Sequence, residues 1–178
     1  GGGGWAVITG DQLRQGPRPM CGELGHTEVF GNKRRCGCGS MGCLETLVSR
    51  SGLLASFRAV RRHPRATWQQ LRDHVNTRGV ERWLAPSIDA AAGVIAGAIN
   101  LLGIEHVVLT GDLAGLHADI APMLGANVEK HTLIGKFSRL RCTGAPRRRV
   151  QGMIAAAADR VLLPEPAMLR SAAREVAV

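Results

Sequence analysis

The run Cys36-Gly37-Cys38-Gly39-Ser40-Met41-Gly42-Cys43 places three thiols within eight residues, in the pattern C-x-C-x4-C. Two thiolates separated by one residue can grip a single ion when that residue permits a tight turn, as glycine does. Soft sulfur with one borderline nitrogen favours zinc, and a closed tetrahedral site needs a fourth ligand. His26, ten residues before Cys36, is the best candidate for it. Four protein ligands leave no open position, so the zinc is expected to be structural and not hydrolytic. Arg34 and Arg35 adjoin the cluster and are expected to help keep its thiols deprotonated. The plain alternative is a loop of free thiols, which the glycine density and the spacing argue against. Cys21 and Cys142 have no partner at ligand spacing and read as buried thiols.

The elements that must hold such a loop come from a chain of 178 residues, 45% apolar and 21% charged. That is enough for one ordinary domain, or for one large half of something bigger, and too apolar for wholesale disorder. Five cysteines, an odd number, argue against a secreted disulfide scaffold. The opening Gly1-Gly2-Gly3-Gly4-Trp5 has no charged-then-apolar region, so no secretory signal is expected and the cytoplasm is the expected location. No apolar run is expected to reach the roughly 18 residues of a membrane helix. The net charge of +9 sits in short clusters: Lys33-Arg34-Arg35, Arg61-Arg62 with Arg65, and Arg147-Arg148-Arg149. Such clusters can attract phosphate or can simply be solvated loops. No aromatic residues interleave with them, so stacking on single-stranded nucleic acid has no support.

Trp5 to Thr9 predicts a short strand, with Gln12 to Gln15 as hairpin partner and Gly16 to Pro19 as loop. Thr27 to Phe30 predicts another strand. From Cys43 the apolar spacing turns helical through Leu44, Leu47 and Val48, then through Leu53, Leu54, Phe57 and Val60. Thr67 offers an N-cap to a helix carrying Trp68, Leu71 and Val75, and Ser87 to a long helix from Ile88 to Leu102 that Gly103 would end. A buried strand is expected over His106 to Thr110, a small helix around Leu113 to Leu124, and a strand near Ser138 to Cys142. A last helix should run from Val150 to Leu162 and stop at Pro164-Glu165-Pro166. Alternating strands and helices make this an α/β chain, with Gly111-Asp112 at the carboxyl end of a strand, where ligands are met.

Gly22-Glu23-Leu24-Gly25-His26, followed by Cys36-Gly37-Cys38-Gly39-Ser40-Met41-Gly42-Cys43-Leu44-Glu45, resembles the two-part signature of the ROK family. That family comprises bacterial sugar kinases and sugar-responsive repressors on the actin-like ATPase (ribonuclease H-like) fold. The likeness extends through Asn100-Leu101-Leu102, Val107 to Gly111 and the Ala-rich last helix. It implies a carboxyl-terminal lobe over residues 1–163, with a zinc loop at 26–43 and a tail at 164–178. It further implies that His26, Cys36, Cys38 and Cys43 hold zinc, and that Glu23, His26 and Glu45 face a sugar. Carboxylates accept hydrogen bonds from vicinal hydroxyls, and a metal-bound histidine can offer its second nitrogen. Without the resemblance, Glu23 and Glu45 would read as surface or helix-start carboxylates.

The family's kinases carry an early Asp-Gly phosphate loop and a catalytic Asp, and no segment here resembles either. Gly1 and Gly3 resemble a second phosphate loop entered in mid-motif, with Trp5 where glycine is common. Gly111 stands in the adenosine-side turn, followed by Asp112-Leu113 in place of further glycines. These departures make ATP binding doubtful, and Asp112 can equally be the N-cap of the next helix. The first reading is therefore the sugar-binding, effector-sensing portion of a ROK regulator of carbohydrate utilisation, not itself an enzyme. It would bind a sugar or sugar phosphate, form dimers or tetramers, and touch DNA only through an amino-terminal domain outside this chain. The second is the carboxyl-terminal lobe of an ATP-dependent, glucokinase-like sugar kinase, inactive alone. A degenerate, structural paralogue is a third.

Overall fold

The structure, a computed structural model, describes residues 4, 6–9, 12–13 and 22–162. Strand β1 (Ile8–Thr9) pairs antiparallel with β2 (Gln12–Leu13), placing Ile8 opposite Leu13. Trp5, Gly1, Gly3, Cys21 and the Pro164-Glu165-Pro166 stop lie outside the described residues. The segment Thr27 to Phe30 is not a strand. It makes a single antiparallel bridge, Glu28 to Cys43, with Val29 N–H donating to Gly42 O and Leu44 N–H to Thr27 O, both at 2.9 Å. Pairing stops there because the chain turns over Gly31 (φ +78°), with Asn32 N–H donating to Val29 O.

Helices α1 (Glu45–Val48) and α2 (Arg50–Arg61) follow. The Ser49 hydroxyl oxygen accepts from Gly52 N–H, capping α2. At the far end Arg62 takes the left-handed conformation (φ 53°) while His63 N–H donates back to Arg58 O, a closure usually given to glycine. Helix α3 (Trp68–Arg78) starts with a capping box between Thr67 and Gln70. Helix α4 (Ala85–Leu102) begins three residues before the expected range, with Pro86 in its first turn, and Gly103 (φ 66°) ends it. Ser87 is therefore inside the helix and is not its cap; its hydroxyl donates to Leu47 O at 3.1 Å, tying α4 to α1.

Strand β3 (His106–Leu109) pairs in parallel with β4 (Arg141–Gly144), Val107 opposite Cys142. Only Val107 of β3 is buried, while Val108 on the opposite face is 54% exposed. The strand expected to be buried is thus buried on one face alone. Helix α5 (Ile120–His131) starts seven residues later than expected. Pro122 explains the shift, since proline fits the first turn of a helix and would break one centred on 113–124. Residues 112–115 form a turn, so Asp112 does not cap α5, whose N-cap position is Asp119. Helix α6 (Ile134–Phe137) leads to β4.

The chain divides into two compact units, 1–145 and 146–178. In the first, Leu53, Leu71, Val75, Leu84, Ile88, Ile99, Ile120, Leu124 and Val128 are essentially inaccessible. Each such side chain contributes roughly 1.5–3 kcal/mol of burial free energy. Helix α4 packs most extensively on α5, presenting Ala91, Ala92 and Ala96 among its larger residues. The stretch Arg82–Leu102 is apolar enough to cross a membrane, with mean hydropathy 1.4 over 18 residues, which exceeds what the composition led us to expect. Its apolarity serves this packing, and 44% of it is buried. The second unit holds α7 (Arg149–Leu162), on which Val150, Met153 and Ile154 are exposed.

Candidate functional site

Glycine geometry builds the site. Gly31 turns the chain out of the Glu28 bridge, and Gly42 N–H donates to Arg34 O as the chain returns. Between them Arg35 bridges Met41, Cys36 N–H donates to Ser40 O at 2.8 Å, and Gly39 (φ +98°) closes the tip on Cys36 O. At Gly42 (φ +79°) a Cβ would stand 2.9 Å from Asn32 O, so no larger residue fits without displacing the loop. The result is a short hairpin with Cys36 and Cys38 near its tip and Cys43 at its foot. A 3-10 turn, Leu24–His26, brings the imidazole to the same place.

The ligand atoms of His26, Cys36, Cys38 and Cys43 all lie within 4.8 Å of one another. His26 Nδ1 is 3.7 Å from Cys36 Sγ, and Cys38 Sγ is 3.7 Å from Cys43 Sγ. A tetrahedral ion bound to thiolates at about 2.3 Å requires sulfur–sulfur edges of about 3.8 Å. Three sulfurs and one nitrogen at these separations can hold a metal ion. Hydrogen bonding from the Ser40 backbone, then from its hydroxyl, holds the Cys38 thiol down to about 6. Burial, then the neighbouring Cys38 and Cys36, pushes the Cys43 thiol up to about 12. Cys142 is separate, partly buried beneath α5, and burial raises its thiol.

Arg34 has a different role from the one its sequence position suggested. Its guanidinium donates to Thr46 O (2.9 Å), Gly52 O (3.2 Å) and Ser56 Oγ (2.9 Å), so its donors point into α1 and α2 and away from the thiols. Asn32, which sequence reasoning missed, donates to Cys43 O and to Thr46 Oγ1, and its own carbonyl accepts from Arg34 N–H. Thr46 in turn donates to Cys43 O at 2.8 Å. No short-range pattern marks these residues, because the Asn32 amide donates 11 and 14 residues onward and the Arg34 guanidinium 12 to 22 residues onward.

The opposite edge of the imidazole faces carboxylates. His26 Nε2 is 3.5 Å from Glu45 Oε2 and 3.8 Å from Glu23 Oε2. Glu45 opens α1, and Glu23 precedes the 3-10 turn. The Glu23 side chain is 51% exposed and that of Glu45 25%, so two acceptors and one ring nitrogen converge on a point that solvent reaches. Gly111 (φ +100°) forms a turn at the carboxyl end of β3, where Gly115 N–H donates to its carbonyl. Of the three glycines attributed to nucleotide loops, it alone is among the described residues.

Comparison with known proteins places the chain in a family and matches its fold. The ROK family matches residues 1–158. N-acetylmannosamine kinase of Escherichia coli O1:K1 is 30% identical over 136 residues, and that of strain SE11 is 27% identical over 138; each alignment covers 66% of this chain and 46% of the relative. The chain thus spans about half the length of these curated relatives. A ROK family transcriptional regulator homologous to the E. coli MLC protein superposes with a TM-score of 0.68 at 18% identity, over 84% of this chain and 41% of that one. The ROK hexokinase of Thermus thermophilus gives 0.65 at 22% identity, over 82% and 48%. The architecture is the α/β fold of these proteins, of the actin-like ATPase kind. With the family model matching all but the last twenty residues, the chain belongs to the ROK family.

Proposed function

We propose that this chain is the sugar-binding, effector-sensing portion of a cytoplasmic ROK transcriptional regulator of carbohydrate utilisation, organised by a structural zinc. The observation that carries the reading is the double-edged placement of His26, with Nδ1 against the cysteine cluster and Nε2 against Glu45 and Glu23. The donor set suits zinc, and four protein ligands close its coordination. Zinc bound at Nδ1 would fix the ring tautomer and leave Nε2–H to a sugar oxygen, while the carboxylates accept from neighbouring hydroxyls. The effector would be a sugar or sugar phosphate, the protein a homo-oligomer, and DNA would be met through a domain outside this chain. ATP has little support: Asp112 puts a negative charge beside the Gly111 turn, where an anion would sit.

The E. coli kinases among the relatives favour a second reading, the carboxyl-terminal lobe of an ATP-dependent hexose kinase that is inactive by itself. Calorimetric titration of the zinc-loaded chain with glucose and with N-acetylmannosamine tests the reading common to both. Binding that falls at least tenfold in Glu45→Ala supports it, and unchanged affinity in that variant overturns it. The coding sequence before Gly1 separates the two: a winged helix-turn-helix indicates a regulator, and an Asp-Gly phosphate loop with a catalytic Asp indicates a kinase.

A further inference from the structure

We infer that Arg34 is a positioning residue for the sugar site, holding the turn that carries Glu45 in place against the metal loop. This rests on the sugar-binding reading of Glu45 and goes beyond it by naming what sets that carboxylate. Arg34 sits half-buried in the loop, yet its side chain spends its donors on α1 and α2: Thr46 O, Gly52 O and Ser56 Oγ. Thr46 directly follows Glu45. Its carbonyl lies so close to Gly52 that a Cβ there would stand 2.3 Å away, and one guanidinium nitrogen donates to both carbonyls. The Ser56 hydroxyl takes the other nitrogen and itself donates to Gly52 O. On the near side Asn32 grips Cys43 O and Thr46 Oγ1 and accepts from Arg34 N–H.

Glu45 is therefore bracketed. The turn from Cys43 to Thr46 is held from the loop by Asn32 and from the helices by Arg34, with Glu45 itself left free to face His26. A four-residue helix has too few internal hydrogen bonds to hold its own orientation. A planar, forked cation directed at three neutral acceptors supplies that orientation, and the single ammonium of lysine cannot reach all three. Arg34 takes part in none of the ion pairs among the described residues, so this network is what its charge serves. A displacement of the Glu45 carboxylate by about 1 Å would be enough to misplace an acceptor for a sugar hydroxyl.

The experiment compares the zinc-loaded full chain with Arg34→Ala, Arg34→Lys and Glu45→Gln, reading bound zinc, the His26 ring resonances by NMR at one pH, and N-acetylmannosamine affinity. The expected result is full zinc content in both Arg34 variants. The His26 ring signals should move in Arg34→Ala in the same direction as in Glu45→Gln, and less far in Arg34→Lys. Sugar affinity should fall about tenfold in Arg34→Ala, with little further loss when Glu45→Gln is already present. Unmoved ring signals overturn the inference, and so does loss of zinc, which would make Arg34 a support of the cluster alone. If Arg34→Ala does not fold, Arg34→Lys decides by the same signals. Failure of the unsubstituted chain to bind sugar would sink the sugar reading, while the ring signals still decide the role of Arg34.

Discussion

Nε2 of His26 stands 3.5 Å from Oε2 of Glu45, so one imidazole joins a thiol cluster to a carboxylate at the start of a helix. The two residues are 19 apart in sequence. The intervening hairpin brings them together by folding back through Gly31, Gly39 and Gly42, each at positive φ. An ion in the cluster would cross-link both ends of that hairpin and with them the two edges of the site.

Metal removal should therefore act locally. Chelation of the zinc-loaded chain is expected to speed amide exchange in the loop from His26 to Leu44. Leu71, Val75, Leu124 and Val128, buried between helices, should stay protected. Exchange read by NMR or mass spectrometry checks this, and uniform loss of protection would contradict it. Cys36→Ser should lose most of the bound zinc.

Gly125 on α5 approaches β4 so closely that an added Cβ would lie 2.7 Å from Cys142 Cβ. Gly125→Ala should destabilise the fold by about 1–3 kcal/mol through overpacking. Cys142→Ala keeps the offending carbon and should not relieve the clash, whereas Cys142→Gly should relieve part of it. Urea unfolding of the single and double variants distinguishes the two.

Leu53 is fully buried, while Phe30 is wholly exposed. Leu53→Ala should cost about 2–5 kcal/mol. Phe30→Ala should stay within about 0.5 kcal/mol despite removing the larger side chain. Thermal or urea denaturation gives both values.

His74 beside Glu81, their nitrogen and oxygen 2.6 Å apart, holds that carboxyl below its ordinary value of 4.5, with lesser help from Trp83 and Arg61. A carboxylate lowered on folding adds stability above its ordinary value, and that stability is lost as pH falls through the lowered one. Glu81→Gln should thus be less stable than the unsubstituted chain at pH 6, by no more than about 1 kcal/mol because the carboxylate is about a third exposed. The gap should begin to narrow as pH falls past 4.5 and close once it has passed the lowered value. Denaturation across that pH range reads it, and a gap independent of pH would exclude the pairing.

Local signals in the sequence carried much of the fold. Thr67 caps α3 as its residue type suggested, with Gln70 completing a capping box, and Gly103 ends α4 in the left-handed conformation. Where neighbours distant in sequence compete, local signals misled. Ser87 has an N-cap residue type but donates to Leu47 O, forty residues away, and Thr27 to Phe30 has strand composition but finds only one bridge. The Leu113 spacing suggested a helix that Pro122 displaces to Ile120.

The sequence by itself determined the family and singled out the residues that cluster: C-x-C-x4-C with glycines between, His26 upstream and Glu45 just beyond. These are short-range facts about residue type and the turns that glycine allows. Only the tertiary structure decided which edge of His26 faces sulfur and which faces carboxylate, and that Arg34 serves the helices and not the thiols. Side-chain direction depends on bonds between segments 10 to 40 residues apart, and no local spacing encodes those.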